Sequence, residues 1–319
     1  MAYEFSSAET AAEALTRCAR EQLDRAIGAL TEDLEADPVT AVHAARKAIK
    51  KERALLRLAR GLLDAGQRRA ANLALREAAR RLSGLRDSEV MLQAIDGLSE
   101  RYVGQLPEAT FAAIRERLEL ERDAERARAG DPATVAAVVQ ELAGVKGDID
   151  SWRLRGEGRE AIGPGVARTY RDGRRAGRRA RREPSLENLH EWRKRVKDLW
   201  YEMRLLAPVC GPIMRGHAQE AEQLAELLGE DHDLGVLRQT IIRAAPELAV
   251  DVAAPAGLID YRRAQLQTQA RCIGVRLYAE GERRFSRRVK RYWKAGAAEF
   301  RAFEESHPGA VAQAARGQS

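Results

Sequence analysis

The sequence predicts an all-α protein made from one helical unit used twice. Three observations predict this. Ala, Leu, Arg and Glu dominate nearly every segment, and aromatic residues are only 5% of the 319 residues; straight side chains lose little rotamer freedom in a helix. Apolar residues recur at steps of three and four, with no sustained alternation between hairpin turns. Two short motifs also return in the same order, about 147 residues further on.

The elements follow in chain order. Leu15, Cys18, Ala19, Leu23, Ala26, Ile27 and Leu30 trace one face of a first helix. Asp37-Pro38 is a helix start, because Asp caps and Pro suits the first turn; Val42, Ala45, Ile49, Leu56 and Ala59 form the apolar face that follows. After breaks at Gly61 and Gly66, Leu73, Ala74, Ala78 and Leu82 mark a third helix. Gly104 to Pro107 and Gly130 to Pro132 punctuate the rest of the first half. The stretch 144–165 is Gly-rich and weakly periodic, and reads as the connection between halves. Glu183-Pro184-Ser185 starts another helix, and Pro208 to Pro212 and Pro255 to Gly257 break the second half. The expected organisation is a single domain over 5–295, with repeats at about 8–140 and 160–295. Residues 304–319 are expected to form a flexible tail.

Composition excludes several classes. No apolar window approaches the roughly 18 residues of a membrane span, and Met1 to Ser7 show no signal peptide. Cys18, Cys210 and Cys272 lie far apart, so neither a disulfide framework nor a zinc knuckle organises the chain. A reducing, cytoplasmic setting is the expectation. Fifty-five Lys and Arg against 48 Asp and Glu leave a net charge of +7. Such an excess, when clustered, favours a polyanionic partner.

The repeat shows where the charge is concentrated. His43-Ala-Ala-Arg46-Lys47-Ala-Ile-Lys50 matches His190-Glu-Trp-Arg193-Lys194-Arg-Val-Lys197 at a displacement of 147, and Arg57 and Arg204 keep that displacement. Leu82, Asp87 and Val90 then pair with Leu228, Asp233 and Val236 at 146. At about 100° per residue, offsets of 0, 3, 4, 7 and 14 fall in a sector roughly 100° wide. His43, Arg46, Lys47, Lys50 and Arg57 therefore share one face, as do His190, Arg193, Lys194, Lys197 and Arg204. Each face is a cationic ridge about 20 Å long at 1.5 Å rise per residue. Like charges on one ridge repel unless an anion neutralises them.

Other basic residues are candidates to join the ridges. Arg69, Arg76 and Arg80 share a face, and Arg168, Arg171 and Arg175 belong to an arginine-rich run ending at Arg182. Arg17 and Arg20 precede the first ridge, and Arg262 and Arg263 follow the second. In place of the arginine series at 69–80, the second half has Arg215 and His217 followed by Glu220, Glu222 and Glu226, so a lopsided positive surface is expected. Phosphate is the natural ligand, because guanidinium offers a planar fork and ammonium a compact charge. A histidine beside such anions can donate, and becomes cationic as they raise its pKa.

Glu230-Asp231-His232-Asp233 is the one cluster that suggests a metal. Consecutive residues of a regular helix cannot face one ion, so the favoured reading is a turn at a helix end, with Asp233 as the next cap. His307 lies in the expected tail with no evident partner. The four tryptophans, at 152, 192, 200 and 293, are expected to anchor helix packing. No His-Glu-x-x-His, Gly-x-x-x-x-Gly-Lys-Ser/Thr or Gly-x-Ser-x-Gly motif is present.

The paired motifs resemble the CHAD family, the conserved-histidine α-helical domain. The resemblance also takes in His190 to Tyr201, Leu82-Ser-Gly-Leu-Arg86-Asp87 and the run from Gly163 to Arg175, and spans about Phe5 to Trp293. It implies two antiparallel four-helix bundles related by a pseudo-twofold, with a basic surface that binds inorganic polyphosphate without catalysis or cofactor. It also implies association with polyphosphate granules. His43 and His190 correspond to the family's histidines. Two features depart from the pattern: His232-Asp233 replaces the Arg-Asp pair, and the helix after the second ridge has few basic residues. Nucleic acid is a secondary partner expectation. A metal-dependent phosphoanhydride hydrolase using Glu230, Asp231 and Asp233 is a third reading.

Overall fold

The computed structural model describes residues 3–82, 87–105, 107–128, 132–156, 159–248 and 250–306. Eleven α-helices and three short 3-10 turns make up the regular structure of those residues. Ser83 to Arg86 of the quoted motif, and His307 in the tail, lie outside the described residues.

Helix starts are set by local chemistry. In α1 (Ala11–Thr31), Thr10 and Glu13 satisfy each other's backbone N–H groups in a capping box. In α2 (Pro38–Leu58), the Asp37 carboxylate accepts from the Thr40 N–H while Pro38 occupies the first turn. Asp64 caps α3 (Ala65–Arg81) by accepting from Gly66 and Gln67. The first half continues with α4 (Asp87–Arg101), α5 (Glu108–Arg128) and α6 (Pro132–Gly147). The second half contains α7 (Gly163–Arg182), α8 (Leu186–Cys210) capped by Ser185, α9 (Pro212–Ala244), α10 (Ala253–Leu277) and α11 (Glu282–Ser306). Gly211 joins α8 to α9 at φ 80°, a left-handed conformation that favours glycine.

One expectation is corrected by α9. It runs unbroken through Glu230 to Asp233, so no helix ends there and Asp233 caps nothing. Gly229 lies inside this helix, and its missing side chain serves packing: a Cβ there would sit 3.1 Å from the Arg193 guanidinium.

The apolar core does not divide along the boundary between halves. A large cluster joins α1, α2, α3 and α6 to α7, α8, α11 and the near part of α9. A smaller one takes Ile95 and Leu98 of α4, Ile114 and Leu118 of α5, Leu237 and Ile241 of α9, and Ile259 and Leu266 of α10. Two helices from each half therefore share the second core. Backbone contact also joins the halves. A Cβ on Gly165 of α7 would lie 2.1 Å from the Leu58 carbonyl oxygen, and one on Gly61 would lie 2.2 Å from that of Ala161. Any side chain at Gly165 forces α2 and α7 apart, and one at Gly61 forces apart the turn after α2 and the turn before α7.

The connecting segment is held against the start of α3. Arg155 N–H donates to the Leu62 carbonyl at 2.7 Å, and Asp64 N–H to that of Arg153 at 3.1 Å. Trp192 is buried between Gly177 of α7 and Gly274 of α10, which fixes the rotation of α8. The next residue, Arg193, then lies beside α9, next to Gly229 and Asp233. Among the described residues, no helix is long and apolar enough to cross a membrane.

Candidate functional site

Helices α2 and α8 face each other across a groove of about 690 Å³. From α2 come Arg46, Lys50, Arg53 and Arg57; from α8 come His190, Arg193, Lys194, Arg195, Lys197, Asp198 and Tyr201. Arg76 of α3, Val90 and Met91 of α4, and His232, Asp233 and Val236 of α9 complete the lining. The apolar backs of the ridges explain the orientation. Val42, Ala45, Ile49 and Leu56 on α2 are buried, as are Leu189, Val196 and Met203 on α8, so the basic faces turn toward each other.

Nine Arg and Lys side chains line this groove against two carboxylates, Asp198 and Asp233. Asp198 braces the floor: Arg57 reaches it from α2 at 3.1 Å and Arg195 from its own helix at 2.9 Å. Burial raises its pKa, while Arg57, Arg195 and Arg53 pull it down. Asp233 holds Arg193 at 3.7 Å. Arg46 donates to the Leu82 carbonyl at 2.6 Å, and Arg53 to the Asn72 side chain at 3.2 Å. Burial and the neighbouring Arg57 guanidinium push Arg53 down to about 10. Positive charge is thus concentrated beyond what the local acids neutralise, in a partly desolvated setting where each charge counts for more.

Two histidines meet in the groove. The His190 and His232 rings lie 4.1 Å apart at 33°, and the Nδ1 atom of each is buried without a hydrogen-bond partner. Burial lowers the pKa of His190, helped by Lys194, Arg193 and Lys50. Burial, His190, Arg193 and Arg263 push His232 down to about 4. Both imidazoles are therefore neutral near pH 7.

The expected residues divide between the groove and elsewhere. The structure brings Arg46, Lys50, Arg57, Arg76, His190, Arg193, Lys194 and Lys197 together. His43, Lys47 and Arg204 belong to the ridges but lie outside the lining. Lys47 and Arg204 instead act on Lys51, whose ammonium is held down to about 8 by burial, Arg204, Arg25 and Lys47. Arg204 also covers the Trp200 ring at 5.4 Å, so this tryptophan carries cations as well as packing.

The remaining candidates lie outside the groove, and most of them meet carboxylates, some one turn away on their own helix and others far along the chain. Arg17 is bound to Glu9 at 2.5 Å and Glu21 at 3.2 Å, and Arg20 pairs with Asp150. Arg262 grips Glu230 at 2.7 and 3.0 Å, and Arg263 meets the fully buried Asp231 at 3.1 Å. On α7, Arg168 and Arg171 pair with Asp172 at 2.7 and 3.7 Å, and Arg175 is exposed away from the groove, as is Arg69 on α3. The acids of Glu230-Asp231-His232-Asp233 thus point to three arginines on different faces of α9. Among the described residues, no group of three His, Cys, Asp or Glu side chains is placed to hold a metal ion.

Sequence reasoning missed Arg53, Arg195 and His232. Arg53 sits about 20° beyond the edge of the ridge sector, and Arg195 is drawn in by Asp198 from a different face. His232 did carry a signal: the displacement of 146 sets it opposite Arg86.

Comparison with known proteins agrees with this architecture. No curated protein matches the chain. Among solved structures, PptA from Streptomyces chartreusis has a similar fold, with a TM-score of 0.59 at 16% identity over 85% of this chain and 100% of that one. A family model for the CHAD domain matches residues 13–241, which include both basic ridges and their helices. By that match, the chain belongs to the CHAD-domain family.

Proposed function

We propose that the chain binds inorganic polyphosphate, without catalysis, in the groove between α2 and α8. The observation carrying this reading is that both ridges wall one groove, where nine basic side chains face two carboxylates. In this reading the two halves are copies of one phosphate-gripping unit, related by a pseudo-twofold, and each contributes its ridge. A flexible chain of identical anions needs charge and hydrogen-bond donors along a path, and no base recognition. The lining suits that need, since Tyr201 is its only aromatic apart from the two histidines and is itself buried. Single-stranded nucleic acid binders add exposed stacking platforms to such charge. Association with polyphosphate granules follows from affinity for long chains.

The test compares long-chain polyphosphate with single- and double-stranded nucleic acid at equal phosphate concentration and matched salt. Polyphosphate is expected to bind tightest, with log affinity falling by roughly 0.7 to 0.9 per log unit of salt for each phosphate neutralised, by analogy with nucleic acids. Longer chains should bind more tightly than tripolyphosphate, since one chain occupies several subsites. Equal or tighter nucleic-acid binding overturns the reading, as does phosphate release on adding Mg²⁺ or Mn²⁺.

Proton uptake should accompany binding. The groove cations and burial hold His190 and His232 neutral, and a bound polyanion offsets those cations and raises both pKa values. Affinity should therefore rise as pH falls from 7 toward about 5. Calorimetry in two buffers of different ionisation enthalpy at pH 5.5 should register the protons taken up, and His190→Gln with His232→Gln should abolish that difference.

A further inference from the structure

A side pocket of about 470 Å³ opens beside the groove, between α4, α8 and α9. The two cavities share Arg193, Lys197, Asp233 and Val90 as a common wall. Their chemistry differs. Four basic residues of the side pocket, Arg101, Arg193, Lys197 and Arg262, are balanced by Glu222, Glu226, Glu230 and Asp233. A bare polyanion gains little from such a balanced lining. Much of the remaining surface is apolar or lacks a side chain, with Ala94, Leu98, Leu234 and Gly97 among it.

We propose that this pocket takes the base of a guanine nucleotide, whose phosphates lie on Arg193 and Lys197 and continue into the groove. Three features carry the proposal. The first is Gly97, in the interior of α4, where glycine weakens a helix relative to alanine. Packing does not require it, because a Cβ there would meet nothing within 4 Å. Its effect is to leave the pocket wall open for a flat ligand. The second is Glu222 and Glu226, one turn apart on α9. Glu230 is bound to Arg262 and Asp233 to Arg193, whereas Glu222 and Glu226 form no ion pair among the described residues. Glu222 is half-buried. A carboxylate with a buried side favours a ligand bearing two adjacent donors, as it favours the guanidinium fork. Guanine presents N1–H and the 2-amino group side by side. Adenine and cytosine place an acceptor beside their amino group, and uracil has no amino group. The third is the shared wall, which puts phosphate-binding cations within the reach of a ligand seated in the pocket. Trp200, also in the lining, adds an indole N–H that is buried without an acceptor.

The proposal rests on the groove's being a phosphate site, so the test separates the two. Titration calorimetry on the full chain compares GTP, GMP, ATP, AMP and long-chain polyphosphate. GTP is expected to bind saturably and at least tenfold more tightly than ATP, with GMP weaker than GTP but still preferred over AMP. Gly97→Phe should fill the pocket and weaken GTP at least tenfold, while polyphosphate stays within about twofold. Glu222→Gln with Glu226→Gln should bring GTP and ATP to within about twofold of each other, and it carries the test should Gly97→Phe misfold. Equal affinity for GTP and ATP in the wild type overturns the proposal, since the triphosphate alone then accounts for binding. GTP binding untouched by a folded Gly97→Phe protein overturns it too. A guanine preference without polyphosphate binding would leave the pocket standing and remove the groove reading.

Discussion

Replacing Lys50, Lys194 and Lys197 together by Glu is expected to lower affinity for long-chain polyphosphate at least about a thousandfold. Hydrogen bonds to charged groups contribute about 1.5–3 kcal/mol each, and reversal adds repulsion to their loss. The three lysines reach the groove from both helices, so the change strikes both walls at once. None belongs to the core: Lys194 is exposed, and Lys50 and Lys197 are half-buried. Helicity by circular dichroism should therefore be retained. The decisive control is matched in charge. Arg168, Arg171 and Arg175 on α7 changed to Glu alter the formal charge equally, from +7 to +1 in either triple variant. They lie outside the groove, and two of them already pair with Asp172. This second triple is expected to weaken binding less than tenfold at 0.15 M salt, where the screening length is about 8 Å. Anisotropy titrations on the two proteins decide the matter. Equal losses would show capture by net charge, with no site in the groove.

The fold class was legible because helical composition and period act locally. The ridges were legible for the same reason, since offsets of three, four and seven fix a face whatever packs behind it. What the pattern does not reveal is how far α2 and α8 are offset along each other. The groove uses α2 from Arg46 to Arg57 but α8 from His190 to Tyr201. Carried back by 147, the α8 wall corresponds to positions 43–54, about one turn earlier than the α2 wall. That offset is why His43 and Arg204 drop out although they share the face, whereas Lys47 lies within the α2 stretch and acts on Lys51. Such offsets arise from tertiary contacts that no local signal announces, as where Gly165 of α7 meets the Leu58 carbonyl at the end of α2. The same limit explains the arginines lost to ion pairs. Arg20 and Asp150 are 130 positions apart in the chain, and Arg263 meets Asp231 from another helix. Continuity of α9 was hidden for a different reason: the polar run from Glu230 to Asp233 reads as a turn, yet Glu230, Asp231 and Asp233 each meet an arginine around an unbroken helix.

Stability is expected to fall as pH rises from 6.5 to 8, because of two carboxyl groups behind the groove. Glu52 of α2 and Glu202 of α8 are fully buried. Glu52 has no hydrogen-bond partner for either oxygen, and Glu202 accepts only from the Thr169 hydroxyl, at 2.6 Å. Burial pushes each up to about 8. The folded state thus holds protons that the unfolded chain releases near 4.5. Their contribution is complete below that value and is lost as pH climbs through 8. His217 and His232 act in the opposite sense, being pushed down to about 4, but only between there and 6.5. Lys51, held down to about 8, opposes the trend only above that pH. The window from 6.5 to 8 therefore isolates the buried carboxyls, Glu52 and Glu202 together with Asp198, whose pKa burial also raises. Urea unfolding across it should show a loss on the order of 1 kcal/mol per pH unit for each carboxyl, near the 1.36 kcal/mol ceiling for one proton. Glu52→Gln with Glu202→Gln should flatten the profile, and a slope that survives in that variant would mean other groups release the protons. These neutral carboxyls also bear on binding. Ionised, they would place two negative charges behind Arg53 and Arg57 and weaken the groove's field. Held protonated at neutral pH, they leave its positive charge uncompensated from within.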